Sequence, residues 1–258
     1  MKLFYRTYGT GHPLLILHGL FGQSDNWNTL AKQFAAQGMQ VITADLRNHG
    51  QSPHSAEWNY ELMAGDILEL ADDLGIEKTD ILGHSMGGRV AMQFSINHPD
   101  RVRKLLVADM APRTYLPRHD RIVEGLLAAD PLRLRSRKAV QVCLSAYIPD
   151  EGTKQFLLKN LYWRADGQLD WRFNLKVLAS HMDIVSSHFP TPSQPCHIPA
   201  FFLRGERSDY LLEDDLVFIR RIFPLAALIT IPDAGHWIHA EQPALFLEEV
   251  VKIIEPVR

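Results

Sequence analysis

A serine stands between glycines in the stretch Gly83-His84-Ser85-Met86-Gly87, directly after a short apolar run. A helix is predicted to follow, from about residue 87 to 97. Gly-x-Ser-x-Gly between a strand and a helix is typical of a nucleophile elbow, a turn so sharp that only glycines fit on either side of the serine. The sequence therefore predicts that Ser85 is raised at the carboxyl edge of a sheet, where it can act as a nucleophile.

A serine hydroxyl is a weak nucleophile at neutral pH and needs a base to take its proton. His236 follows the apolar run 228–231 and a short loop, so we expect it at the same sheet edge as Ser85. His239 is expected to be a solvated side chain. The pair His236 and His239 has no carboxylate or further histidine at ligand spacing, and no His-Glu-x-x-His is present, so the sequence predicts no metal site.

Two aspartates could orient the imidazole of His236. Asp109 ends the apolar run 105–108, and Asp209 follows the run 200–203. Both runs are predicted parallel strands, so both carboxylates should reach the edge that carries Ser85. Sequence spacing does not separate the two candidates.

An oxyanion that forms on a carbonyl attacked by Ser85 needs two backbone donors. The elbow supplies the amide of Met86 at a helix N-terminus, where the helix dipole favours negative charge. The second donor is expected from the loop His18-Gly19-Leu20-Phe21-Gly22, with the amide of Leu20 as first choice and that of Phe21 as the alternative. His18 is expected to support this loop by hydrogen bonding.

Composition and charge narrow the classes of function. The chain has 258 residues, 46% of them hydrophobic, which suits one large α/β domain with an insertion. A formal net charge of -3 gives no field that would favour nucleic acid or an anionic membrane as a partner. Two cysteines and an N-terminal apolar run too short for a signal peptide or a membrane span lead us to expect a cytoplasmic protein.

Short apolar runs alternate with helical patterns along most of the chain, which predicts a mostly parallel sheet flanked by helices. The predicted strands are residues 14–17, 41–44, 80–82, 105–108, 200–203 and 228–231. Between residues 110 and 199, helical patterns follow one another without a buried strand, over a length too great for a loop. We therefore predict an α/β core of residues 1–109 and 200–258, and an inserted helical cap (lid) of residues 110–199.

The cap carries aromatic and basic residues. Its aromatic residues are expected mostly to pack the cap's own core, with some walling an acyl pocket over Ser85. They are Tyr115, Tyr147, Phe156, Tyr162, Trp163, Trp171 and Phe173. The basic run 132–138 could meet a phosphorylated leaving group such as coenzyme A, but a solvated helix face is the favoured interpretation.

Four segments of the chain carry a family resemblance. They are residues 18–22 (HGLFG), 45–53 (DLRNHGQSP), 83–88 (GHSMGG) and 235–241 (GHWIHAE). Together they resemble the α/β-hydrolase superfamily, and within it the YbfF-type bacterial esterases and their relative ABHD-eleven. The Arg-Asn-His-Gly and Gly-His-Trp-Ile-His segments are more specific than the elbow, and the similarity extends from about residue 14 to 243.

The resemblance implies an α/β-hydrolase fold and a serine carboxylesterase or acyl thioesterase with a helical cap. It also bears on the acid. In the bacterial esterase group, an Asp-x-x-Pro segment that matches Asp109-Met110-Ala111-Pro112 holds the acid, which favours Asp109. The wider superfamily generally uses the position of Asp209, which this chain also keeps.

The predicted activity is hydrolysis of short- to medium-chain acyl esters, with acyl-coenzyme A thioesters as further candidates, through an acyl-serine intermediate and without a metal or organic cofactor. The expected partner is a small-molecule ester, and the expected assembly is a monomer or homodimer. The same scaffold carries carbon–carbon bond hydrolases, menaquinone-pathway lyases and proline iminopeptidases, which are alternatives. A non-catalytic binding module is less favoured, because the serine, the histidine and two acids are all present.

Overall fold

The computed structural model describes residues 1–116, 119–187 and 189–254, and its main element is a seven-stranded sheet. The described strands are β1 (Tyr5–Tyr8), β2 (His12–Leu17), β3 (Met39–Ala44), β4 (Thr79–His84), β5 (Val102–Ala108), β6 (Leu161–Trp163), β7 (Leu169–Trp171), β8 (Ala200–Gly205) and β9 (Ala226–Ile231). The sheet has the order β1-β3-β2-β4-β5-β8-β9, with only β1 antiparallel to its neighbour.

Helices connect these strands and cover both faces of the sheet. They are α1 (Asn28–Ala36), α2 (Tyr60–Asp73), α3 (Met86–Asn97), α4 (Asp120–Ala128), α5 (Pro131–Leu134), α6 (Arg137–Ser145), α7 (Glu151–Leu158), α8 (Leu175–Ser180), α9 (Met182–Ser186), α10 (Asp215–Ile222), α11 (Ile238–Glu241) and α12 (Pro243–Ile254). None of the described helices combines the length and apolar composition needed to cross a membrane.

All six predicted strands are confirmed as β2, β3, β4, β5, β8 and β9, each a few residues longer than its apolar run. β1 was not predicted. Its residues alternate between exposed and half-buried because it lies at the edge of the sheet, so it lacks the apolar run that marks a central strand.

The alternation of side chains along the strands divides the apolar core between two faces. Leu14 and Ile16 of β2 point to one face, where they join residues of α1 and α12 in one buried cluster. Leu15 and Leu17 point to the other face and join a larger cluster that includes α2, α3 and α10. The buried sheet therefore gives its carboxyl edge a rigid support.

The segment between β5 and β8 holds the helices α4 to α9 and also the short antiparallel hairpin β6–β7. The expectation that this segment has no buried strand is wrong in this respect. Leu161, Leu169 and Trp171 of the hairpin are buried, but strands of three residues are too short to give a recognisable apolar run. The helical character of the rest of the segment agrees with the prediction.

Candidate active site

Ser85 lies at the turn between β4, which ends at His84, and α3, which begins at Met86. Its backbone angles, φ 54° and ψ -120°, lie outside the regions that L-residues commonly adopt. The Ser85 amide donates to the carbonyl oxygen of Ala108 at 3.0 Å, which ties the turn to the end of β5. The strained turn thus places the hydroxyl at the carboxyl edge of the sheet.

Two glycines make this turn sterically possible. A Cβ at Gly83 would lie 2.1 Å from the carbonyl oxygen of Gly87, and a Cβ at Gly87 would lie 2.4 Å from that of Leu17. Both distances are far below van der Waals contact, and the atoms met belong to the backbone, not to the end of a flexible side chain. The glycines of the Gly-x-Ser-x-Gly pattern are therefore explained by clearance, as expected from the sequence.

His236 forms hydrogen bonds through both of its ring nitrogens. Its Nε2 lies 3.0 Å from Ser85 Oγ, and its Nδ1 lies 2.7 Å from Asp109 Oδ2. When Asp109 is ionised, its carboxylate only accepts hydrogen bonds, so Nδ1 carries the proton and Nε2 is the acceptor for the serine hydroxyl. This arrangement allows the imidazole to take a proton from Ser85.

Asp109 follows β5 in a left-handed conformation, with φ 51°, and its side chain is fully buried. Besides His236, the Gly205 amide donates to Oδ1 at 3.0 Å and the Ser208 hydroxyl donates to Oδ2. Burial raises the pKa of the Asp109 carboxyl to about 7, while the hydrogen bonds from Ser208 and Gly205 lower it. The other candidate acid, Asp209, is exposed in the next loop, and His236 Nδ1 is bonded to Asp109.

The loop of residues 18–22 passes directly beside Ser85. A Cβ at Gly19 would lie 3.3 Å from Ser85 Cβ, and the Gly22 amide donates to the Gly19 carbonyl at 2.9 Å to close a turn. Leu20 and Phe21 are the central residues of this turn, and Phe21 has a φ of 58°. Both candidate oxyanion residues of the loop are thus held next to the serine, together with Met86 at the start of α3.

His18 supports this loop as expected. Its Nδ1 donates to the Gly19 carbonyl at 2.8 Å, and its Nε2 accepts from the Leu46 amide at 3.0 Å. Burial lowers the pKa of His18 to about 4, so the ring is neutral and can serve as both donor and acceptor.

The expectation that His239 is solvated is wrong. The residue is 7% exposed, and its ring stacks on Trp27 with the centroids 4.3 Å apart. Burial, assisted by the nearby His84 and His236, holds the pKa of His239 well below its usual value. A short helix, α11, follows Trp237 and turns His239 inward, which the loop-like sequence did not indicate.

Comparison with known proteins identifies the family. The model of the α/β hydrolase fold matches residues 12–140. The sn-1-specific diacylglycerol lipase ABHD11 of Mus musculus is 38% identical over 248 residues, covering 93% of this chain and 80% of that protein. Esterase YbfF of Escherichia coli K12 is 36% identical over 242 residues, covering 92% and 91%. This chain belongs to the α/β-hydrolase family.

The solved structure of a marine microorganism esterase is similar to this α/β hydrolase along its whole length. The TM-score is 0.95 at 41% sequence identity, and the superposition covers 98% of this chain and 100% of the other. With the relatives named above, this likeness makes the chain an α/β hydrolase of the esterase and lipase type.

Ser85 of the hydrolase opens into a cavity of about 220 Å³, which we call the Ser85 pocket. The loop of residues 18–22 forms one wall, Tyr210 and His236 form another, and α4 and α7 contribute Ile122 and Phe156. Side chains from the segment between β5 and β8 therefore line the Ser85 pocket. In the part of the chain that the structure describes, no group of three or more His, Cys, Asp or Glu residues could hold a metal ion.

Sequence reasoning missed Ser208, whose hydroxyl bonds to the same Asp109 oxygen as His236. Its position directly before Asp209, after a predicted strand, was the available signal.

The basic run of residues 132–138 is largely exposed, as favoured, and Arg137 donates to the carbonyls of Leu158 and Leu161. Among the aromatic residues, Trp171 and Phe173 are buried whereas Trp163 is 56% exposed.

Proposed function

We propose that this α/β hydrolase is a serine carboxylesterase that cleaves short- to medium-chain acyl esters through an acyl-serine intermediate. The observation that supports the proposal is the hydrogen-bonded series in which Ser85 Oγ lies 3.0 Å from His236 Nε2 and His236 Nδ1 lies 2.7 Å from Asp109 Oδ2. The relatives named as an esterase and as a diacylglycerol lipase both act, by those names, on carboxylic esters.

In the first half-reaction, Ser85 Oγ forms a bond to the ester carbonyl carbon while its proton passes to His236 Nε2. The Asp109 carboxylate accepts the hydrogen bond from Nδ1–H and stabilises the imidazolium that results. The carbon–oxygen bond to the alcohol then breaks, and His236 returns the proton to the departing oxygen. The acyl group remains on Ser85.

The negative charge that develops on the carbonyl oxygen needs donors fixed in advance. We assign this role to the amides of Leu20 and Met86. Met86 is the first residue of α3, so its N–H has no acceptor within the helix and the helix dipole favours an anion there. The second half-reaction repeats these steps with water in place of Ser85, and releases the carboxylic acid.

We assign the acid to Asp109 and the covering role to residues 110–199, which we propose as a cap over the Ser85 pocket. Asp109 is buried within hydrogen-bonding distance of His236, whereas Asp209 is exposed. Because the imidazolium forms in a site partly shielded from water, the buried carboxylate stabilises it more strongly than an exposed one would.

The first experiment compares the hydrolysis of p-nitrophenyl acetate, butyrate and octanoate by the wild type and three variants. We expect Ser85→Ala to abolish turnover, and Asp109→Asn to lower kcat by roughly 10³- to 10⁴-fold because the imidazole loses its orienting acceptor. Asp209→Asn is the matched control, with the same change of charge in the neighbouring loop, and should keep kcat within about threefold of wild type.

Two outcomes would contradict the proposal. Wild-type protein inert on all three esters would favour another chemistry on the same scaffold, such as a carbon–carbon bond hydrolase or a lyase. Loss of turnover in Asp209→Asn with retention in Asp109→Asn would move the acid to the loop after β8.

A further inference from the structure

The Ser85 pocket adjoins a second and larger cavity. This cavity, which we call the outer groove, has a volume of about 770 Å³ and lies between α1, α7 and the segment that runs from Trp237 to Pro243. Thr153, Phe156 and Trp237 line both cavities. The rings of Phe156 and Trp237 meet edge to face with centroids 4.5 Å apart, so this half-buried aromatic pair lies where the two cavities adjoin.

The sizes of the cavities limit which part of a substrate each can hold. Pockets that enclose a drug-sized molecule have volumes of roughly 300–1,000 Å³. The Ser85 pocket, at about 220 Å³, is smaller than this range, and the space beside Ser85 that is lined by Met110 and Tyr115 has only about 10 Å³. Of these three cavities, the outer groove, which adjoins the Ser85 pocket, is the one that has room for a bulky substituent.

The position of the proton donor indicates which substituent this is. His236 must give its proton to the departing alcohol oxygen, so the alcohol lies beside the His236 ring in the reacting complex. Trp237 follows His236 directly and its ring lies across from that of His236, with centroids 6.2 Å apart at 70°. An alcohol that extends away from His236 past Trp237 enters the outer groove.

The charges of the outer groove fit an uncharged alcohol. Two carboxylates, Asp150 and Glu241, and one ammonium, Lys159, line it, and Arg207 lies 3.9 Å from Glu241. Backbone amides fix both carboxylates, since Asp150 accepts from Thr153 at 2.7 Å and Glu241 from Gly235 at 2.8 Å. With these four groups in balance, the groove offers no excess of positive charge to a polyanion such as coenzyme A.

The lining of the groove combines apolar and polar side chains. Leu30, Phe156 and Trp237 provide apolar contact, and Asn26 and Gln33 provide hydrogen-bonding groups. We infer that the outer groove binds the alcohol part of the substrate, and that the enzyme favours esters that join a short acyl group to a bulky, uncharged, amphipathic alcohol. This inference rests on the proposed serine esterase activity.

The test uses three esters that share the butyryl group and differ in the alcohol. They are methyl butyrate, octyl butyrate and 8-butyryloxyoctanoate, and their hydrolysis is measured by the release of butyric acid. For the wild type, we expect kcat/KM for octyl butyrate to exceed that for methyl butyrate by at least about tenfold, because several methylenes leave water. The 8-butyryloxyoctanoate ester has the same chain with a terminal carboxylate, and we expect it to lose most of that advantage.

Two variants on α1 distinguish an effect of the outer groove on substrate preference from a general effect of a new tryptophan on that helix. Thr29 is exposed at the groove, and Thr29→Trp should fill the groove and remove most of the preference for octyl butyrate. Lys32→Trp places the same side chain on the same helix at an exposed position outside the groove lining, and should keep the wild-type preference.

Several results would overturn the inference. One is an equal kcat/KM for octyl and methyl butyrate in the wild type, and another is an equal loss on both esters in Thr29→Trp. Selective loss by Thr29→Trp on p-nitrophenyl octanoate relative to p-nitrophenyl acetate would assign the groove to the acyl chain instead. Failure of the proposed function is seen in a separate measurement. If Ser85→Ala hydrolyses methyl butyrate as fast as the wild type does, the protein is not a serine esterase that acts through Ser85.

Discussion

Three donors converge on the carboxylate of Asp109: the Gly205 amide, the Ser208 hydroxyl and the His236 imidazole. These hydrogen bonds fix the positions of both carboxylate oxygens of a fully buried side chain. In the sequence, Asp109 and Asp209 are equivalent because each follows a parallel strand at the same edge. The two aspartates differ in the left-handed backbone conformation of Asp109 and in the course of the loop after β8. Neither feature can be predicted from hydrophobic periodicity.

The pKa of Asp109, raised by burial to about 7, predicts a pH dependence of activity. Below this pH the carboxyl takes up a proton and no longer accepts the Nδ1 proton of His236 as an anion. We therefore expect kcat/KM for p-nitrophenyl butyrate to rise with pH through about 7. A pH profile between 5 and 9 measures this, and a rate independent of pH across that interval would contradict it.

The same raised pKa predicts that the stability of the fold decreases with pH over the interval in which the activity increases. A carboxyl whose pKa is higher in the folded than in the unfolded chain contributes stability that is complete below its unfolded pKa of 3.8, and is lost as the pH rises through about 7. Comparison of the wild type with Asp109→Asn by urea unfolding at pH 5 and pH 8 checks the sign. The variant should gain stability relative to the wild type at the higher pH.

At the scale of elements, the segment that follows α7 is connected to the loop beside Ser85. Asn160 is 1% exposed, and its Nδ2 donates to the Phe21 carbonyl at 2.8 Å. Since Phe21 is held at a positive φ next to Leu20, this bond helps to fix the proposed oxyanion donor. We expect Asn160→Ala to lower kcat about tenfold or more with little change in KM, because the transition state depends on the donor more than the ground state does.

Asn174 provides the matched control for Asn160→Ala. It lies further along the same segment, and its Nδ2 donates to Asn48 Oδ1 at 3.1 Å, another contact between the segment and the core. Asn174→Ala should lower the melting temperature without a selective loss of kcat. Equal effects of the two substitutions on kcat would show that Asn160 acts only through general stability.

The elements that the sequence predicted well are the ones with buried faces. β2 to β5, β8 and β9 have continuous apolar runs because helices cover both faces of each strand. β1 and the hairpin β6–β7 are short or half-exposed, so their residues differ little from those of loops. The segment between β5 and β8 could be predicted as mostly helical. Which of its residues line the Ser85 pocket could not be predicted, because that depends on contacts between distant parts of the chain.

At the scale of the whole molecule, a buried ion pair joins the loop after β3 to α2. Arg47 Nε lies 2.6 Å from Asp66 Oδ2, and Arg47 Nη2 lies 2.7 Å from Oδ1, with both residues at most 5% exposed. In Arg47→Met, buried Asp66 keeps only the Met1 amino group, 2.7 Å from its Oδ1, as a counterion, and the carbonyls of Glu57 and Leu62 lose their donor. We therefore expect Arg47→Met to lower the free energy of unfolding by about 3 kcal/mol, the low end for a broken buried pair. Urea unfolding at pH 7 measures the loss.

An exposed pair serves as the comparison for Arg47→Met. Lys2 Nζ lies 3.8 Å from Asp73 Oδ2, and both side chains are exposed. Lys2→Met should change the free energy of unfolding by no more than about 0.5 kcal/mol, because water and salt screen such a pair. Similar losses in the two variants would mean that burial adds nothing to the Arg47–Asp66 pair.

The long segment between β5 and β8 delays completion of the sheet while the chain is being synthesised. β5 emerges from the ribosome well before β8, the strand that pairs with its outer edge. Until β8 is made, the N–H and C=O groups of that edge are unpaired and can bind another chain, so truncated products that end between β5 and β8 should aggregate. His236 is made later still, and a nascent chain therefore cannot hydrolyse an ester before the sheet around Ser85 is closed.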